Sequence, residues 1–135
     1  MSLQGLLDDF SLFDDWEDRY RYIIELGGTL APLSEAEHSD AYKVPGCVSQ
    51  VWLVSEVHGD KLVFRGDSDA HIVRGLVAIV LDLFSQKTAS DILSVDAKGA
   101  FEQLGLSEHL TPQRSNGFQA MVQRIRNDAA AALAD

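Results

Sequence analysis

The sequence predicts an α+β fold in which a small antiparallel sheet is flanked by helices. Residues 48–57 and 61–66 are typical of two strands, and His58-Gly59-Asp60 between them indicates a hairpin turn. Segments with helical periodicity lie before and after this hairpin and do not alternate with further strands, which favours an antiparallel sheet over a parallel one. The 135 residues contain no repeat, linker or change of composition, so we expect residues 1–135 to form a single domain.

Two amphipathic helices are predicted before the hairpin. Residues 3–13 place apolar side chains at helical spacing, and Asp14 or Asp15 is a suitable N-cap for a second helix. The apolar face of that second helix consists of Trp16, Tyr20, Ile23 and Ile24 and extends to Leu26. Gly27-Gly28 is expected to end the helix by adopting the left-handed conformation that glycine tolerates. A long polar loop is predicted for residues 29–46.

A helix from about residue 70 to residue 86 is the predicted centre of the core. Apolar residues surround most of this helix, which implies burial against the sheet and other helices. They are Ile72, Val73, Leu76, Val77, Ile79, Val80, Leu83 and Phe84. The preceding run Gly66-Asp67-Ser68-Asp69 is expected to end the second strand and to cap this helix, because Asp and Ser oxygens accept bonds from the first free N–H groups.

Three further helices are predicted after the central one. Ser90 and Asp91 are suited to cap a short helix, and Lys98–Leu104 predicts another that Gly105 ends. Thr111-Pro112 predicts the start of the last helix, since proline is tolerated in a first turn. The inner face of this helix contains Phe118, Met121, Val122 and Ile125, and its alanine-rich end is expected to fray outward.

The composition excludes several classes of function. The net charge of −10, from 21 acidic and 11 basic residues, opposes binding to nucleic acid or to an anionic membrane. No run approaches the ~18 apolar residues of a membrane span. The start of the chain lacks the basic region and apolar core of a secretory signal. We therefore expect a cytoplasmic protein, and one without a metal site, because the four histidines are scattered and the single cysteine has no companion.

Cys47, the only cysteine, is the main candidate for a chemically reactive residue. It stands between Pro45-Gly46, which indicates a turn, and a strand-like run that begins at Val51. A single thiol excludes an internal disulfide, a Cys-x-x-Cys couple and a cysteine-only metal cage. The residues alone leave two interpretations open, a reactive thiol presented by a loop or a small buried hydrophobic side chain. A Cys–His hydrolase would also need a histidine base, and no histidine lies in a recognisable motif.

Four separated segments of the chain, taken together, resemble the sequence motifs of one known protein family. They are Trp16-Glu17-x-x-Tyr20-x-Tyr22-Ile23-Ile24-Glu25-Leu26-Gly27, Gly46-Cys47-x-Ser49-x-Val51-Trp52, Gly66-Asp67-Ser68-Asp69-Ala70-x-Ile72-Val73-x-Gly75-Leu76 and Leu110-Thr111-Pro112-x-Arg114-x-x-Gly117. In this order, over roughly residues 10–130, the chain resembles the SufE family of cysteine-desulfuration proteins. The resemblance implies the compact α+β fold that SufE proteins share with the IscU-like scaffolds of iron–sulfur cluster assembly.

The resemblance further implies that Cys47 is a sulfur acceptor. In this family a pyridoxal-phosphate cysteine desulfurase passes a persulfide sulfur to the acceptor thiol, which relays it to the SufBCD scaffold complex. The acceptor also raises the turnover of the desulfurase, and the pyridoxal phosphate belongs to that partner, so no cofactor is expected here. Gly46 and Ser49 are expected to shape the cysteine loop. Asp69 and Arg114 are expected to line the cysteine site or the desulfurase surface, with a helix cap and a surface cation as their alternative roles.

Several alternatives stay open at this point. The SufE paralogue CsdE serves another desulfurase, so the partner is either SufS-like or CsdA-like. Val48 stands where several relatives carry a polar residue, which leaves no side-chain role to expect there. The chain could also be a non-catalytic allosteric activator of a desulfurase in which Cys47 is structural. A cluster scaffold is disfavoured because it would need more than one cysteine ligand. The sequence leaves the oligomeric state open, a homodimer included.

Overall fold

The computed structural model describes residues 3–134, and it confirms the α+β class with its small antiparallel sheet. The helices are α1 (Leu3–Ser11), α2 (Trp16–Gly27), α3 (His71–Phe84), α4 (Ala89–Ser94), α5 (Ala97–Gln103), α6 (Leu106–His109) and α7 (Pro112–Ala134). The strands are β1 (Val51–His58), β2 (Lys61–Ser68) and β3 (Lys87–Thr88). Most of the segment between α2 and β1 is irregular, and we call its residues 29–46 loop 29–46. This loop contains a 3₁₀ turn at Asp40–Tyr42.

The hairpin forms where the sequence predicts it. β1 and β2 pair antiparallel from Val51 opposite Ser68 to His58 opposite Lys61. Gly59 in the turn has φ of +68°, a conformation that glycine adopts without steric penalty. The sheet has a third strand that the sequence did not predict, because the two residues of β3 are too few to show alternation.

The centre of the core is α3, as predicted. All eight apolar residues predicted for its face are buried, and the helix packs against β2, α2 and α7. The apolar side chains of Leu62 and Phe64 are buried and alternate along β2 with more exposed ones. This arrangement matters for function because α3 and α7 form two walls of the cavity described below.

Two glycines let α2 and α3 approach closely. A Cβ at Gly75 would lie 2.1 Å from the carbonyl oxygen of Ile23, and one at Gly27 would lie 2.9 Å from the Cβ of Arg74. The predicted left-handed end of α2 is wrong, since Gly28 caps the helix with φ of −69°. Gly27 is therefore required by the packing of the two helices, and the helix ends through the bonds that the Gly28 N–H donates to the last turn.

Loop 29–46 covers the outer face of the hairpin. Trp52 and Val54, which point away from α3, form a second small apolar cluster with Leu33, against which Tyr42 also packs. An irregular segment of this length is ordered here because it buries apolar surface of its own. This packing fixes the position, relative to the hairpin, of the residues that lead to Cys47.

Two ionic clusters fasten the same loop to β2. Arg65 donates to both oxygens of the Glu37 carboxylate, and it also donates to Glu56 at 2.8 Å. His38 places its Nε2 2.9 Å from the Asp67 carboxylate. Bidentate pairs between arginine and a carboxylate fix geometry as well as charge, so these contacts hold the loop in one position on the sheet.

The C-terminal third of the described chain departs from the predictions in detail. Thr88, and not Ser90 or Asp91, caps α4, since its hydroxyl accepts the Asp91 N–H at 3.2 Å. Gly105 has φ of +75° and ends α5 as predicted, but the short helix α6 that follows was not predicted. One turn of helix is too short for a periodic signal.

The alanine-rich end of α7 does not fray outward, so that prediction is wrong. The helix continues to Ala134, and Ala129 near its end is fully buried. The Ser55 hydroxyl of β1 donates to Asp128 at 3.1 Å, which fixes this part of α7 beside the sheet. Within residues 3–134 no helix is both long and apolar enough to cross a membrane.

Candidate functional site

The loop that carries Cys47 is shaped by the backbone on its N-terminal side. Val44 donates its N–H to the carbonyl of Val51, the first residue of β1, at 2.8 Å. Residues 44–50, the cysteine loop, therefore start beside β1, reverse direction and then enter it. Gly46 completes the reversal with φ of +88°, a left-handed conformation that a residue with a Cβ adopts only with strain. The prediction that Gly46 provides backbone freedom agrees with this conformation. Cys47 directly follows this turn.

The other end of the loop is held by Asp69. Its carboxylate accepts a hydrogen bond from the Gln50 backbone N–H at 3.1 Å and one from the Gln50 amide group at 3.4 Å. The Ser68 hydroxyl donates to the Gln50 carbonyl at 2.7 Å. The predicted helix-capping role of Asp69 is therefore wrong, since Ala70 precedes α3 with no side-chain cap. Asp69 and Ser68 instead fix the residue at which the cysteine loop enters β1.

The Cys47 side chain faces a cavity of about 130 Å³ between its own loop, α3 and α7. The apolar part of the lining consists of Val73 and Leu76 from α3 and Met121 from α7. The Cys47 thiol lies 3.7 Å from the Gly117 carbonyl oxygen, to which it donates. Because this thiol is half-buried among apolar groups, burial raises the pKa of Cys47 above its ordinary value. At rest the sulfur is thus a protonated, weakly nucleophilic thiol.

Arg114 brings positive charge to the wall of this cavity. Its guanidinium donates to the Tyr20 hydroxyl at 3.0 Å and lies 5.9 Å from the centre of the Tyr20 ring. The contact between α2 and α7 therefore holds the cation at the site. Burial nevertheless sets the direction of the Cys47 pKa shift in this closed arrangement, which is upward.

Comparison with known proteins identifies the family. Residues 4–129 match the family model described as SufE: Fe-S metabolism associated domain. The chain belongs to the SufE family. It is 53% identical over 132 residues to an uncharacterized SufE-like protein of Rhizobium meliloti, covering 95% of this chain and 94% of that one. An uncharacterized SufE-like protein of Rhizobium etli is 55% identical over 132 residues, covering 95% of this chain and 89% of the relative.

A solved structure shows the same fold. The solution structure of a hypothetical protein from Thermus thermophilus superposes with a TM-score of 0.79, covering 100% of both chains at 21% identity. At that identity the likeness speaks for the fold alone. The resemblance predicted from the four motifs is confirmed by the family match over nearly the whole chain.

The residues predicted for the SufE site lie in two groups. Cys47, Ser49 and Arg114 all line the cavity. The Ser49 hydroxyl makes no hydrogen bond within residues 3–134, so its predicted local bond is not seen there. Gly46 and Asp69 do not line the cavity and instead hold the two ends of the loop.

Other residues at or beside the cavity had no predicted role of their own. Gly117 belongs to a motif of the resemblance and Met121 to a predicted helix face, but only the structure brings them to the cavity that Cys47 faces. Tyr20, on the predicted face of α2, contacts Arg114 and not the cysteine. No histidine lines the cavity, and His109 stacks on Trp16 at 4.2 Å between ring centres. Among residues 3–134 no group of three or more histidine, cysteine, aspartate or glutamate side chains could hold a metal ion.

Proposed function

We propose that this SufE-family protein accepts sulfane sulfur from a cysteine desulfurase as a persulfide on Cys47. The observation that carries the proposal is the placement of the only thiol of the chain in a loop that faces a partly apolar cavity. A structural cysteine would need neither the left-handed turn at Gly46 nor a cavity in front of its sulfur. Membership of a family associated with iron–sulfur metabolism supports this assignment.

The proposed transfer is an exchange between one thiol and one persulfide. Cys47 loses its proton to solvent, and its sulfur attacks the outer sulfur of the desulfurase persulfide. A new sulfur–sulfur bond forms on Cys47 while the sulfur–sulfur bond of the donor breaks. The desulfurase cysteine leaves as a thiolate and is reprotonated. No oxidant or reductant is consumed, since sulfane sulfur only changes its carrier.

We infer that the loop opens for this reaction. The cavity holds the thiol protonated and away from a donor protein, whereas attack requires a thiolate that a second active site can reach. The loop is tethered by hydrogen bonds at Gln50 and Val44, and Val48 beside the cysteine is 76% exposed. An exposed apolar side chain next to the reactive group suits contact with the desulfurase surface. The free energy gained from contacts with the desulfurase would thus offset the cost of breaking the contacts that Cys47 makes at rest.

The sulfur is then proposed to pass from Cys47 to a SufBCD-type scaffold. A chain with a single cysteine can carry one persulfide but cannot supply the several ligands that a cluster requires. The pyridoxal phosphate that releases sulfur from free cysteine belongs to the desulfurase, which is SufS-like or CsdA-like. The protein itself is a carrier and an activator, and we propose no cofactor of its own.

Desulfurase turnover with wild-type protein and with Cys47→Ser tests this proposal against its rival. A sulfur acceptor raises turnover by removing the persulfide, so Cys47→Ser should lose the stimulation completely. An allosteric activator would keep its stimulation in the serine variant. Asp60→Ala, a change in the exposed hairpin turn, serves as the control and should stimulate like the wild type. Binding of each variant to the desulfurase is measured in parallel, so that loss of docking is not mistaken for loss of chemistry.

A further inference from the structure

Gly117 is a glycine in the first half of α7, buried at the floor of the cysteine cavity. Glycine within a helix is less stable than alanine by about 1 kcal/mol. A Cβ at Gly117 would meet only the Cys47 sulfur, at 3.8 Å, which is an ordinary van der Waals contact. Alanine therefore fits this position while Cys47 is a thiol, and the resting packing gives no reason for glycine.

Four other glycines of the described chain have clear reasons to be glycine. At Gly66 and Gly75 a Cβ would come within 2.7 Å and 2.1 Å of neighbouring atoms, so packing excludes any side chain. Gly46 and Gly105 have φ of +88° and +75°, which a side chain disfavours. Gly117 has neither a clash nor an unusual backbone, although it touches the one reactive atom of the protein.

We propose that Gly117 provides the space for the second sulfur of the Cys47 persulfide. This inference rests on the proposed function and adds a positioning residue to it. A sulfur–sulfur bond places the new atom about 2 Å beyond the cysteine sulfur. The cavity of about 130 Å³ has room for that atom, since on the order of 10–15 Å³ of the same measure admits a water molecule. A methyl group at Gly117 would occupy the side of the cavity that faces the cysteine sulfur.

The persulfide therefore rests over Gly117 with the loop closed. Its outer sulfur then contacts the apolar walls at Leu76 and Met121 and is screened from small thiols in solution. In Gly117→Ala the thiol form keeps its place, whereas the outer sulfur of the persulfide, which points to position 117, meets the new methyl group and holds the loop open. The substitution is thus expected to affect the persulfide form of Cys47 and not its thiol form. A change that merely disturbs the fold would affect both forms.

The test compares wild type, Gly117→Ala and the control Asn116→Ala, an exposed change in the same helix turn that also gains helix propensity. The persulfide is made without a desulfurase. An aromatic mixed disulfide of Cys47 is treated with hydrosulfide, which attacks the cysteine sulfur, adds one sulfur and releases the aromatic thiolate. Two rates are measured for each protein, alkylation of the free thiol and removal of the outer sulfur by a small thiol reductant. Thermal unfolding is recorded for all three.

Gly117→Ala should be at least as thermostable as wild type, and its free thiol should be alkylated at the wild-type rate. Its persulfide should be reduced about tenfold faster than that of wild type or Asn116→Ala, because overpacking opens the loop. Equal persulfide rates in all three proteins would overturn the proposal. A matching rise in thiol alkylation would overturn it too, since glycine would then serve the resting loop. Failure of a desulfurase to load wild type would instead contradict the proposed function.

Discussion

The Asp69 carboxylate accepts a hydrogen bond from the Gln50 backbone N–H at 3.1 Å and so joins the start of α3 to the end of the cysteine loop. The reverse bond is also present, since the Asp69 N–H donates to the Gln50 carbonyl at 3.2 Å. This pairing extends the β1–β2 ladder by one residue beyond its last strand pair, Val51 with Ser68. The loop that presents Cys47 therefore ends at the residue that Asp69 pairs with the sheet.

Asp69→Ala should make the Cys47 thiol more accessible. The substitution removes an exposed hydrogen-bond acceptor, whose loss is worth about 1 kcal/mol or about fivefold in the opening equilibrium of the loop. We expect alkylation of Cys47 by iodoacetamide to accelerate by that factor. Asp60→Ala makes the same change of charge in the hairpin turn and should leave the rate unchanged. Equal rates in the two variants would show that Asp69 does not hold the loop.

The Cys47 thiol should titrate above the ordinary range of a free cysteine. Burial raises the pKa of Cys47, because the cavity does not solvate a thiolate as water does. The ultraviolet absorbance of the thiolate, with Cys47→Ser subtracted as the blank, gives the pKa directly. We expect a value above the ~8.5 of an unstructured cysteine in the native protein, and a return towards that value in Asp69→Ala. A native pKa below that of the unfolded chain would contradict the closed cavity.

Glu37 should contribute stability that depends on pH. Its two bonds from Arg65 lower the pKa of Glu37 to about 2, from an ordinary value of 4.5. A carboxyl group whose pKa is lowered by folding stabilises the native state above its unfolded pKa, and the effect is lost as pH falls through the folded pKa. The free energy of unfolding of Glu37→Gln should thus lie below that of wild type at pH 7, and the difference should vanish between about pH 4.5 and pH 2.

Urea unfolding across that pH range measures the difference, and Glu35→Gln is its control. Glu35 is exposed in the same loop and its side chain has no ion pair within residues 3–134. The control should follow wild type at every pH. A difference between Glu37→Gln and wild type that persists unchanged to pH 2 would show that the Arg65 pair does not fasten loop 29–46.

Gly75→Ala should destabilise the protein through the contact between α2 and α3. A Cβ at this position would lie 2.1 Å from the Ile23 carbonyl oxygen and 2.5 Å from its Cγ2, so the helices must separate. Overpacking of this kind costs about 1–3 kcal/mol, which chemical denaturation resolves easily. Gly117→Ala is the matched control and should show no loss. If both substitutions left stability unchanged, the close crossing of α2 and α3 would be incorrect.

The sequence predicted the elements whose signals are local and strong. The hairpin was evident from His58-Gly59-Asp60, and α3 was evident from apolar residues around most of its surface. Prediction from the sequence failed where a residue's structure depends on a contact with a residue far away along the chain. Asp69 was expected to cap α3 because acidic residues before a helix usually do so, but Gln50 competes for its carboxylate.

The cysteine site was predictable only in part for the same reason. A lone thiol after Pro45-Gly46 singled out Cys47 and its loop. The cavity could not be predicted, because Leu76 and Gly117 reach the cysteine only after α3 and α7 have packed. No local pattern distinguishes a glycine that leaves room for a ligand from one that merely interrupts a helix.

Intact-protein mass spectrometry tests the central claim most directly. Wild-type protein is incubated with a SufS-like or a CsdA-like cysteine desulfurase, pyridoxal phosphate and free cysteine, in the absence of reductant. The sulfur-acceptor account predicts a mass gain of one sulfur atom that a thiol reductant reverses and that Cys47→Ser does not show. An unchanged mass with desulfurases of both kinds, or an equal gain in Cys47→Ser, would contradict the account.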